Sequence, residues 1–250
     1  VAGTVFKNSG TAFGLTSLGA SSSDGIISGP VSINGGTFLN SGTIYTRPGG
    51  LLITNAVATN TASGRIDVGV GNWTIERNGI LVNNGVINNL AGRLNINLGG
   101  VLAGTGSVID PNSAYTANPD GRIAVNTGSL LSPGEAAYNS IGTLYAGGRL
   151  DLNSANGLAG VLRIEFDFSN PQVHDVVGAD ELANSVGMIQ ITNINPGAGT
   201  FASGQSFLVI SNNNGPTIPF TLGDRPEQMP VISPPDQGRK EIQPGFARGA

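Results

Sequence analysis

Cysteine is absent from this 250-residue chain, and charge and aromatic rings are scarce: charged residues make up 11%, aromatics 6%, with one Trp and one His. The missing thiols exclude disulfides, thiolate nucleophiles and sulfur-ligated zinc. Twelve basic residues against sixteen acidic ones, a formal net charge of -4, leave no electrostatic footprint for a phosphate backbone, so nucleic acid is not an expected partner. No apolar run approaches the roughly 20 residues of a membrane helix, and direct membrane insertion is not expected. The opening VAGTVFKNSG has no leader pattern, so an exported chain would be a processed form.

Glycine is abundant, at 39 residues, alongside 14 prolines. Interior glycines weaken helices, and no helical periodicity of useful length occurs. Instead, short β-branched runs such as GLLITN, GRIDVGVG and GRLNINLGG alternate with Gly/Asn/Ser punctuation. A hydrophobic fraction of 39% argues for a folded, turn-rich all-β chain.

Internal similarity gives those strands an order. Gly-Arg-apolar-x-apolar recurs at Gly64, Gly92, Gly121 and Gly148, at spacings of 28, 29 and 27 residues. NGGTFLNSGTI, from Asn34, echoes in NGILVNNGVIN, from Asn78. Periods of this size signal a solenoid, so the expected fold is a right-handed parallel β-helix. Glycine serves its corners, and asparagine amides stack along it. The alternative is a β-sandwich in which NSGT, NNG and RNG close hairpins. Residues 1–215 read as solenoid, with a terminal cap from about 160 where GVLRIEFDFSN places Leu162, Ile164, Phe166 and Phe168 on one side. Residues 216–250, rich in proline and charge, read as an extended arm or disordered tail.

Few residues invite chemistry. Ser132, His174 and Asp175 or Asp180 form a drafted triad, but LLSPG is no nucleophile elbow and Pro133 offers no N–H to an oxyanion. Glu165 and Asp167, two apart on one strand and thus about 6.5–7 Å apart, are the best carboxylate pair for glycoside cleavage. Arg163 beside them suggests a solvated charge row instead. Asp110, Asp120 and Asp180 lack calcium-repeat spacing, so no cofactor or metal is required; an incidental calcium between corners stays open. The repeated Arg65, Arg93, Arg122 and Arg149 read either as a basic ladder for an acidic glycan or as cations compensated by Asp67 and Asp151. Trp73 and Tyr45 read as packed rather than recognitive. SSSDGIISG and DPNSAYTANPDG are the candidate insertions for contacts.

Residues 128–215 carry a resemblance. Ser132-Pro133-Gly134, Asn139-Ser140-Ile141-Gly142-Thr143-Leu144, Asp175-Val176-Val177-Gly178 and Gly204-Gln205-Ser206-Phe207-Leu208-Val209-Ile210, in that order, resemble the C-terminal end of an autotransporter passenger domain. The resemblance implies a parallel β-helix on the outer surface of a Gram-negative bacterium, where such domains adhere to host molecules or neighbouring cells. The family's membrane barrel does not follow Gly215 here. The expected function is therefore an extracellular structural or adhesive protein. Its expected partners are itself, in an oligomer or fibre, or a surface protein or glycan of a host or neighbouring cell. A β-helical polysaccharide-cleaving enzyme is the alternative.

Overall fold

The computed structural model describes residues 5–8, 11–13, 31–46, 50–68, 73–89, 92–109, 122–134, 140–170, 172–183, 186–195, 206–212, 218–221 and 229–230. The described residues form strands, turns and corners, and none is helical. Three strands make one coil, as in Val31–Asn34, Thr37–Asn40 and Thr43–Tyr45. Within such a coil, consecutive strands do not pair with each other. Each pairs in parallel with the strand one coil away, as Val31↔Leu51, Thr37↔Val57 and Thr43↔Arg65 illustrate. The result is an all-β, curled parallel sheet of the β-solenoid type, consistent with a right-handed β-helix. The sandwich alternative falls here, because NSGT and NNG are corners between faces rather than hairpin turns.

Three faces follow from this winding. The first carries Val31–Asn34, Leu51–Thr54, Trp73–Glu76, Arg93–Ile96 and Arg122–Val125, and the long strand Thr143–Leu152 turns onto it through a register shift between Ala146 and Arg149. The second face is a nine-stranded stack from Val5–Asn8 to Met229–Pro230. The third begins at Thr11–Phe13 and ends at Ser206–Asn212. Alternation along each strand sends Ile33, Ile53, Ile75, Ile96, Val125 and Leu152 into one continuous interior, all nearly or completely shielded from solvent. Trp73 lies in that interior, as a packed ring.

Corners explain much of the composition. Between the first and second faces, each of five successive coils turns through one or two left-handed residues: Gly35 and Gly36, then Asn55, then Arg77 and Asn78, then Gly99, then Gly128. Glycine and asparagine pay least for that conformation. At the far end of the second face, fully buried Asn40, Asn60 and Asn83 stack. Asn40 Nδ2 donates to Asn60 Oδ1 and Asn60 Nδ2 to Asn83 Oδ1, both at 2.8 Å. This amide ladder satisfies polar groups that would otherwise be stranded inside.

The sequence repeat needs one correction. Arg93 and Arg122 are register partners, and Ile123↔Leu150 sets Arg149 beside Arg122 on the first face. Arg65, however, lies on the third face, aligned with Thr43 and Val86. The interval from Gly64 to Gly92 is thus no coil; coil offsets in this half are 20 residues for Val31↔Leu51 and 22 for Leu52↔Thr74. Later coils are longer, with offsets of 29 for Leu94↔Ile123 and 27 for Ile123↔Leu150, because the connections between strands lengthen.

The C-terminal end is closed by a change of pairing sense. Ile218–Thr221 adds antiparallel to Ser206–Asn212, and Met229–Pro230 adds antiparallel to Met188–Asn193. Both short strands belong to the proline-rich segment; the rest of 216–250 lies outside the described residues, as do both candidate insertions, Asp110 and Asp120.

Candidate functional site

Two groups of charged side chains stand out, one under the terminal corner and one on the first face. The first is built on Val161–Phe166, whose Leu162, Ile164 and Phe166 point inward while Glu165 points the other way. A charged residue there would ordinarily meet water. Glu165 is nevertheless only 1% exposed, and Ser140, from a segment distant in sequence, lies against it. Its Oε2 accepts a hydrogen bond from the Ser140 N–H at 3.1 Å, and its Oε1 is buried without a partner among the described residues.

Asp175 completes this site. It is fully buried, with Oδ2 accepting from the Glu165 N–H at 2.9 Å and Oδ1 from the Gly142 N–H at 2.8 Å. Burial, reinforced by the neighbouring Glu165 charge, pushes the Asp175 carboxyl up to about 7 against the pull of those two N–H donors. Burial also raises Glu165, opposed by the Ser140 N–H and the Arg163 charge. Gly134 has a φ of 93°, and a Cβ there would collide with the Ser140 carbonyl. Gly134 and Ser140 thus approach each other through a space that only glycine leaves open.

This clamp joins the motif stretches that carry the resemblance. Gly134 follows the Ser-Pro turn, Ser140 and Gly142 belong to the Asn-Ser-Ile-Gly stretch, and Asp175 opens the Asp-Val-Val-Gly stretch. Phe207, from the closing strand, packs edge-on to Phe166 at 5.2 Å, and His174 stacks on Phe166 at 4.8 Å. Sequence reasoning missed Glu165–Asp175 because the two are joined through backbone donors of a third segment. The spacing of the motifs was the available signal.

The drafted chemistry is placed differently. Asp167 lies just past the end of its strand and caps a turn, accepting from the Ser169 hydroxyl at 2.5 Å and the Ser169 N–H at 2.8 Å, which hold its carboxyl below the usual range. Glu165 and Asp167 thus do not share one exposed row. Ser132 is buried on Leu130–Pro133, while the His174 ring lies against Phe166 and Phe207, with Nε2 at 3.1 Å from the Leu208 carbonyl. No group of three or more His, Cys, Asp or Glu side chains suited to a metal occurs among the described residues.

On the first face, the repeated arginines meet a single carboxylate. Asp151 is fully buried; its Oδ1 accepts from Arg149 Nε at 2.7 Å, and its Oδ2 from Arg122 Nε and, at 3.3 Å, from Arg93 Nη2. Fully buried Ala124, the register neighbour of Asp151, leaves room for the carboxylate under the guanidinium groups. On the third face Arg65 pairs with Asp67 at 3.0 Å, and Asn88 also donates to Asp67. Compensation of the arginines by Asp67 and Asp151 is therefore realised, though unevenly: three cations share Asp151.

Compared with family models, with curated proteins and with solved structures, the chain shows no match.

Proposed function

We propose that this chain is an extracellular structural or adhesive rod of the autotransporter-passenger type, working at a bacterial surface through its faces. The observation that carries this reading is the investment of buried polar groups in coil-to-coil contacts. The Asn40–Asn60–Asn83 ladder runs along the axis, and the Glu165–Asp175 clamp fastens the last coils to the corner above them. Such contacts stiffen a stack and hold its end shut. With the C-terminal end covered by antiparallel strands, self-association would proceed by strand addition at the opposite end. Partners are then further copies of the chain, or a protein or glycan on a neighbouring surface.

Electron microscopy and sizing across a broad concentration range at neutral pH test the self-assembling form, which predicts long particles and heavy species. Persistent monomers at every concentration would rule it out. The polysaccharide-cleaving alternative draws no support from Glu165 and Asp167 as placed. Sugar release from an anionic or neutral polysaccharide panel, lost in Glu165→Gln, would restore it.

A further inference from the structure

The arginines of the first face carry more positive charge than their partner neutralises. Arg93, Arg122 and Arg149 occupy one register position in three successive coils, about 4.8 Å apart per step. One carboxylate, Asp151, serves all three. Arg122 and Arg149 approach it through Nε, which leaves both terminal nitrogens of each without a partner among the described residues. Arg93 spends one terminal nitrogen on Asp151, and its Nε is buried with no partner among the described residues. The side chains still reach solvent, being 34%, 25% and 19% exposed for Arg93, Arg122 and Arg149. Glu181 holds the register position next to Arg149 and is the next acidic residue along this row.

Asp151 also fixes the arginines in place. Guanidinium groups held by a shared buried anchor lose little further freedom when an anion arrives, and their forked donors match the oxygens of a carboxylate or sulfate. We propose that Arg93, Arg122 and Arg149 form a binding site for one oxyanion group, a sulfate or carboxylate, free or carried on an acidic glycan. Burial and the charges of Arg122 and Arg149 lower the Arg93 pKa, an electrostatic stress that a bound anion would relieve. The site goes beyond the rod reading and does not depend on it. It spans three coils only, in a chain of net charge -4, which suits a single acidic group better than a long polyphosphate.

Calorimetric titration of the full chain at fixed ionic strength tests it, with sodium sulfate, a sulfated disaccharide and its unsulfated counterpart as probes and chloride as the reference salt. Saturable sulfate binding is expected, weakened about tenfold or more in Arg93→Gln, which leaves Asp151 paired with Arg122 and Arg149. Arg122→Gln is the complementary variant: Asp151 stays paired with Arg93 and Arg149, sulfate binding should weaken about tenfold or more, and sulfate should raise its thermal midpoint less than that of the unaltered chain. A sulfated disaccharide that binds tighter than sulfate, with its unsulfated counterpart inert, assigns the site to a glycan. Equal affinities assign it to a free oxyanion. Sulfate effects no larger than those of chloride, or affinities unchanged in both variants, would overturn the proposal.

Discussion

Asp175 and Gly134 show how single residues hold the terminal corner, and each yields a measurable consequence. A carboxyl raised to about 7 keeps its proton in the folded chain at pH values where the unfolded chain, with an ordinary value near 3.8, has lost it. Its contribution is therefore complete below about pH 4 and is lost as pH rises towards 7, at a slope of at most about 1.4 kcal/mol per pH unit. Urea unfolding should accordingly show a less stable C-terminal end at pH 8 than at pH 5. Asp175→Asn should flatten that difference while lowering stability at pH 5 by about 1–3 kcal/mol, because one backbone N–H loses its acceptor. A wild-type profile flat from pH 5 to 8 would contradict the burial of this carboxyl. Gly134→Ala should cost at least about 2 kcal/mol in the same assay, combining a strained positive φ with the collision against Ser140.

Strands and corners differ in how visibly they are written. The inward alternation of RLNI, RIAV and RLDL is plain in the sequence, and so is the outward position of their arginines. The winding was harder to read, because two kinds of repeat overlap. TFLN-SG, VATN-TASG and ILVN-NG mark the same corner in three successive coils, but the middle copy is two residues longer and escapes a fixed-spacing comparison. Gly64-Arg65 belongs to that corner, not to the later Gly-Arg series, as its register with Thr43 and Val86 establishes. The buried fate of Glu165 was illegible for a related reason: strand alternation says which side a residue faces, never what a distant corner lays over it. The amide ladders give the element-scale prediction. Asn60→Ala removes a donor and an acceptor from a fully buried stack and should cost about 2–4 kcal/mol by urea unfolding. Asn126→Ala, in the half-buried Asn97–Asn126–Asn153 ladder, should cost less than about 1 kcal/mol, water replacing the lost bonds. Equal losses at the two sites would contradict the inner and outer placement of these ladders.

Taken whole, the molecule is a stack in which each coil covers the last, and its properties follow from the register of that stack. Nine strands on the second face, at about 4.8 Å per step, give a column about 40 Å long with one closed end. The terminal clamp, the arginine row and the amide ladders all depend on which residue lies above which. The chain's lack of cysteine makes that register directly testable with engineered pairs. Arg65→Cys combined with Val86→Cys places two thiols on adjacent parallel strands within disulfide reach, whereas Arg65→Cys with Arg93→Cys follows the Gly-Arg spacing and places them on different faces. Mild oxidation followed by peptide mapping should find the 65–86 crosslink formed and the 65–93 crosslink absent. The reverse pattern would contradict the three-sided coil on which the account rests.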